Sequence, residues 1–215
     1  MRILLPLAAL GLSGCALTEL TSPQTGSCSS AIDANQWPKF ESTDGEAPVV
    51  VDDEIGWTEG KVAPDFELVD QFGDPTCLWQ MTGKYVVLDA SALWCEPCKQ
   101  IAETVRCVQE TVGSDLVYMT FITQDATGQP ATAEHATQWS DAFGLGEGSV
   151  TPVIADGELV YVSDWPGGGD TLPTLVLLDQ DLRVVRSGLG APAELQIREE
   201  LERLTGVDTS ACTHE

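Results

Sequence analysis

The stretch that most restricts the fold runs from Tyr85 to Gly113. It opens with Tyr85-Val86-Val87-Leu88, a continuous apolar run of the kind that forms a strand buried on both faces. It closes with Ile101, Val105, Val108 and Val112, at spacings of 4, 3 and 4 residues, which mark one face of a helix ended by Gly113. A buried strand leading directly into an amphipathic helix calls for a sheet with a helix laid across it, and the pattern recurs downstream. Leu116–Ile122 reads as a second buried strand, Ala131–Phe143 as a helix with Trp139 and Phe143 on one face, and Val150–Ala155 as a strand. Leu175–Leu178 and Arg183–Val185 flank the turn Asp179–Leu182 as an antiparallel hairpin. The last helix starts at Pro192, carries Leu195, Leu201 and Leu204, and stops at Gly206. Upstream, Phe66–Val69 pairs with Thr76–Trp79 across turn residues. The resulting order predicts an α/β fold: a mixed central sheet, helices on both faces, and an N-terminal β-hairpin.

Between that strand and helix lies Ala92-Leu93-Trp94-Cys95-Glu96-Pro97-Cys98-Lys99-Gln100. A zinc site needs four ligands, commonly a second CxxC or a His pair at helical spacing; the other cysteines are isolated and the histidines are His135 and His214. A purely structural disulfide gains little from so short a loop. Thiol exchange fits better. Cys95 falls at a helix N-terminus, where free N–H groups and the dipole stabilise a thiolate, and Pro97 suits the first turn. Cys98, one turn in, is then the shielded resolving thiol. The chemistry calls for no metal and no cofactor.

The N-terminus addresses the compartment. Arg2 precedes the apolar run Ile3–Leu12, too short for a membrane span and arranged as an export signal. Leu12-Ser13-Gly14-Cys15 resembles the bacterial lipobox, which predicts a signal peptide over residues 1–14 and acylation of Cys15; the alternative is an ordinary signal peptide with a chance cysteine. Ala16, in place of Asp, resembles outer-membrane sorting within lipoproteins. Residues 15–49, rich in Ser, Thr, Pro, Asn and Asp, read as a tether, with Cys28, Trp37 and Phe40 as the points at which part of it would dock; residues 50–215 form the domain. The 34 acidic against 10 basic residues give a net charge of −24, which argues against nucleic acid and anionic lipid as partners. Cys28, Cys77, Cys107 and Cys212 admit three pairings, and in an oxidising envelope one or two structural disulfides are expected among them.

"YVVLDASALWCEPCK" resembles the active-site strand and helix of thioredoxins, and "APDFELVDQFGD" with "GKYVVLD" resembles the membrane-tethered TlpA and ResA branch of periplasmic thioredoxin-like proteins. The resemblance runs from about Lys61 to Gly206. It implies a three-layer thioredoxin-like fold and a thiol-disulfide oxidoreductase. It also implies a cis-proline facing the disulfide, placed by "GDTLPTLVLLDQDLRVV" at Pro173, with the Leu172 backbone pairing to substrate. Asp89, six residues before Cys95, matches the buried carboxylate of thioredoxins; desolvation at the end of an apolar strand should raise its pKa and let it take the proton of Cys98. Trp94 is read either as a packing and substrate-docking residue or as plain core. Lys99 is a solvated charge that modestly favours a thiolate.

The segment of about Asp156 to Gly169, with "DWPGGGD", departs from the family pattern and reads as a flexible loop over the site or a surface insertion. Glu96 sets a negative charge beside Cys95, which disfavours the thiolate and points to a reductant. The expected partners are exported cysteine-containing proteins, apocytochromes among them, and a membrane thiol donor. The alternative function is a copper metallochaperone on the same fold, like the Sco proteins, which use CxxxC and a distal His. The peroxidatic Pro-x-x-x-Thr-x-x-Cys pattern is absent.

Overall fold

The structure, a computed structural model, describes residues 36–37, 52–146, 148–167 and 169–213. The export signal, Cys15, Cys28, Phe40 and all of the tether except 36–37 lie outside the described residues.

The elements follow the predicted order. β1 (Glu67–Val69) and β2 (Pro75–Cys77) form a small antiparallel hairpin. Then come β3 (Tyr85–Ala92), α1 (Glu96–Val112), β4 (Leu116–Gln124), α2 (Ala133–Phe143), β5 (Val153–Ala155), β6 (Thr174–Leu178), β7 (Val184–Leu189) and α3 (Ala193–Thr205). Five strands make one sheet in the order β5-β4-β3-β6-β7, with β3, β4 and β5 parallel and β6 and β7 antiparallel. β3 is central, and from Val86 to Ala92 every residue is buried, as the apolar run requires.

The two faces are covered differently. Val87 of β3, Tyr118 of β4 and Leu177 of β6 face the buried residues of α1, α2 and α3. Val86, Leu88, Val117, Met119 and Phe121 face the other way, onto Leu78, Trp79, Met81, Tyr161 and Trp165. The three layers hold, but all three α-helices share one face. The second face carries the 60s–80s segment, 3₁₀ turns and an aromatic cluster instead of the expected helices. Composition explains the difference: the 156–169 segment holds Pro166 and a run of glycines, which cost about 3 and about 1 kcal/mol per residue in a helix.

That segment is not a loose loop either. The Asp156 carboxylate accepts the N–H groups of Val160, Tyr161 and Val162 at 2.7, 3.0 and 2.8 Å. The Tyr161 hydroxyl donates to the Pro64 carbonyl at 2.7 Å, and Trp165 packs edge-on against Phe121 with centroids 5.2 Å apart.

Trp37 docks as expected: it is buried, stacks at a tilt on Phe72 and donates its indole N–H to Asp70. The β1–β2 turn is fastened to the sheet edge by buried Gln71, whose amide N donates to the carbonyls of Leu145 and Thr151 at 3.0 and 3.1 Å while its oxygen takes the Val153 N–H at 2.8 Å. The edge strand β5 is thereby covered. Cys107 bonds to Cys212, and Cys77 is disulfide-bonded as well.

Candidate active site

Strand β3 runs into a tight turn at Leu93 and Trp94, and Cys95 becomes the N-cap of α1. It is extended at φ −79° and ψ 105°, and its sulfur accepts the Cys98 N–H at 3.3 Å. An N-cap sulfur receiving a first-turn amide is the arrangement that lowers a thiol's pKa. Pro97 occupies the first turn, where its missing N–H costs nothing. Cys95 and Cys98 are joined, with Cα atoms 5.3 Å apart. Cys95 keeps 2 % exposure and Cys98 none, so an incoming molecule meets Cys95 first.

Asp89 shares the helix-facing side of β3 with Val87 and is fully buried. Its Oδ1 accepts the Ser91 hydroxyl at 3.0 Å, and its Oδ2 has no hydrogen-bond partner among the described residues. Burial pushes its pKa up to about 7; the Ser91 hydroxyl opposes the rise, and the charge of Glu194 adds to it. The carboxyl thus stands poised at neutral pH, the range useful to a proton-transfer group.

The Leu172–Pro173 peptide is cis. Thr174 pairs with Ala90 of β3 and with Leu189 of β7, so Pro173 lies at the sheet end from which β3 leads to Cys95. The Pro173 carbonyl accepts the Gly190 N–H at 2.7 Å. Leu172 is half-buried and touches both core clusters. Trp94 is 49 % exposed and its indole N–H donates to Gln124 Oε1 at 2.7 Å, which removes the plain-core reading. Glu96 and Lys99 pair with each other at 3.5 Å, with side chains 73 % and 38 % exposed, so each charge is largely spent on the other and on solvent.

No family model matches the chain. Two curated relatives do. Thiol-disulfide oxidoreductase ResA of Bacillus cereus is 26% identical over 146 residues, 68% of this chain and 78% of the relative. Thioredoxin-like protein YneN of Bacillus subtilis is 27% identical over 103 residues, 48% of this chain and 56% of the relative, so the match spans little more than half of YneN. The chain is a TlpA/ResA-like protein of the thioredoxin fold. It is similar to the thiol-disulfide oxidoreductases, and Cys95 and Cys98 form its CxxC pair. A solved structure from Chlorobium tepidum, provisionally named DsbE, a thiol:disulfide interchange protein, superposes with a TM-score of 0.55 at 22% identity, over 69% of this chain and 97% of that one. At that identity the likeness speaks for the fold alone.

Measured against the TlpA/ResA-like expectation, the structure brings Cys95, Cys98, Trp94 and the Leu172–Pro173 peptide to one end of the sheet and sets Asp89 behind them. Among the described residues no helix is long and apolar enough to cross a membrane, and no three His, Cys, Asp or Glu side chains gather as metal ligands. His135 instead receives the Thr132 N–H at 3.0 Å in the cap of α2. Sequence reasoning missed Ser91, Gln124, Tyr118 and Glu194. Ser91 was within reach, because strand periodicity puts it on the face of Asp89.

Proposed function

We propose that the chain is a lipid-anchored thiol-disulfide reductase of the bacterial cell envelope, acting on disulfides of exported proteins such as apocytochromes. Acylated Cys15 would hold it at the membrane, and a membrane thiol donor would recharge it.

In the reduced enzyme the Cys95 thiolate attacks one sulfur of a substrate disulfide. That S–S bond breaks, one substrate sulfur leaves as thiolate, and Cys95 is left in a mixed disulfide. Cys98 passes its proton to Asp89 and attacks Cys95 Sγ. The Cys95–Cys98 bond forms, the second substrate sulfur departs, and two electrons have moved from enzyme to substrate. Trp94 and the Leu172 backbone dock the substrate beside Cys95. The observation that carries this reading is the asymmetry of the pair: a capped Cys95 that keeps 2 % exposure over a fully enclosed Cys98.

The reducing direction rests on Glu96, whose exposure and pairing with Lys99 make its effect on Cys95 modest. A reduction potential near thioredoxin's ~−270 mV agrees with a reductant, and one near ~−120 mV makes the protein an oxidant. The test of the whole reading is Cys98→Ala in cells, which should accumulate partners linked to Cys95. If no linked species forms and the variant reduces insulin as well as wild type, the assignment is wrong.

A further inference from the structure

Cys95–Cys98 is not the bridge most open to solvent. Cys107 is exposed on α1, whereas Cys77, Cys95, Cys98 and Cys212 are 3, 2, 0 and 1 % exposed. The Cys107–Cys212 bridge thus joins an outer cysteine to an inner one. Thiol exchange requires an attacking thiolate to reach one sulfur of a disulfide, while the other leaves. Cys107 can be reached and Cys212 cannot. Thr111, one turn on from Cys107, sets its hydroxyl 3.6 Å from Cys212 Sγ and 4.0 Å from Cys107 Sγ, in position to donate to the sulfur that leaves.

The inner cysteine belongs to a strap. After Gly206 closes α3 the chain turns back on that helix: Glu202 accepts the Thr209 N–H at 2.8 Å and the Thr209 hydroxyl at 2.7 Å. Arg198 donates to the carbonyls of Thr209 and Cys212, to the second at 2.7 Å. The sulfur bridge then fastens the tail to α1, and Thr213 lines a recess with Glu103 of α1 and with Ala142 and Phe143 of α2. The tail therefore reaches from α3 across α1 to α2. Beyond Thr209 it is held to α1 by the bridge and to α3 by the Arg198 bond.

We propose that Cys107–Cys212 is a second exchangeable disulfide, opened at Cys107 by the thiolate of a small external thiol, and that its opening unfastens the strap over α1. The thiolate attacks Cys107 Sγ, the Cys107–Cys212 bond breaks, a mixed disulfide forms at Cys107, and Cys212 leaves as a thiolate. That thiolate arises at a position 1 % exposed, with the Thr111 hydroxyl beside it, and a buried charge so little compensated is costly. The tail yields, and Cys212 takes a proton from water. A second thiolate attacks the sulfur of the bound thiol; Cys107 leaves as a thiolate and is protonated, and the two external thiols depart as their own disulfide. Two electrons have passed to the bridge. The site does not depend on the proposed activity of Cys95 and Cys98.

The test has two readouts. In the first, oxidised wild-type protein meets 2-mercaptoethanol under native conditions; an uncharged thiol suits a chain of net charge −24. After an acid quench the free thiols are alkylated, and mass spectrometry reads each cysteine on its own peptide, apart from Cys95 and Cys98. The expected intermediate carries mercaptoethanol on Cys107 and the alkyl group on Cys212. An adduct on Cys212 instead, or a bridge that opens only in urea, overturns the site. The second readout is amide hydrogen exchange in a Cys95→Ser/Cys98→Ser protein before and after reduction. Exchange over residues 207–213 should quicken about tenfold or more while β3 and β6 stay unchanged. A tail as protected as before, or an equal quickening in β3, overturns the release of the strap. Reduced wild type serves for the same comparison where the substituted chain does not fold.

Discussion

Replacing Asp89 by Asn should make the folded protein more stable, and only above acid pH. Asn keeps the volume and the acceptor for Ser91 but carries no proton to lose. In the unfolded chain Asp89 ionises near 3.8, and in the folded protein near 7. Below pH 3.8 both states hold the proton, and the substitution has no electrostatic consequence. Between 3.8 and about 7 the unfolded state has lost its proton and the folded state has not, so wild-type stability falls as pH rises. The separation is about 3 pH units and each is worth about 1.36 kcal/mol, so the loss levels off near 4 kcal/mol above pH 7. Against a total of about 5–15 kcal/mol that is a large share. Urea unfolding of oxidised wild type and Asp89→Asn at several pH values between 4 and 8 measures the difference directly. Asp65, raised to about 6 by burial, contributes to the pH dependence of both proteins and cancels. A stability gap that stays constant across this range would refute the reasoning, because it would mean that the buried carboxyl ionises as freely as in water.

Two further outcomes follow from packing and connectivity. The double variant Cys107→Ala/Cys212→Ala, by opening a ring of sequence separation 105, should lose about 2–5 kcal/mol in non-reducing urea unfolding while Cys95 and Cys98 still cycle; no loss would mean that the hydrogen bonds of the tail to Arg198 and Glu202 hold it without the bridge. Gly157→Ala should cost about 1–3 kcal/mol or more, because the new Cβ would lie 2.2 Å from the Ala131 carbonyl oxygen and 2.5 Å from its nitrogen; an unshifted thermal midpoint would show that this backbone crossing yields.

The catalytic half of the fold was legible because its signals are local. The β3 run, the 4-3-4 spacing on α1 and the caps at Gly113 and Gly206 each depend on a few consecutive residues, and the structure agrees to within a few positions. Trp94, read as docking surface or core, needed one long-range contact, to Gln124, to be decided. The second face was not legible. Its aromatic cluster gathers Phe66, Phe121, Tyr161 and Trp165 from three distant stretches, and no period in the sequence connects them. The segment from Asp156 to Gly169 read as a flexible loop or a surface insertion because the three amides that Asp156 accepts are fixed only by the turn it nucleates. Cys107 falls outside the Ile101, Val105, Val108 and Val112 spacing of α1, yet its partner lies 105 residues away and only the docked tail selects it.

The Cys107–Cys212 bond also has a mechanical meaning. A pull on both ends of the chain would be carried across the sulfur bridge, so the strands and helices from β4 to α3 would hang in a closed bight that bears no load. About 350 Å of contour would stay out of reach of the force. A chain fixed at its N-terminus and dragged by a bound partner at Cys95 would be loaded only through the residues before that cysteine.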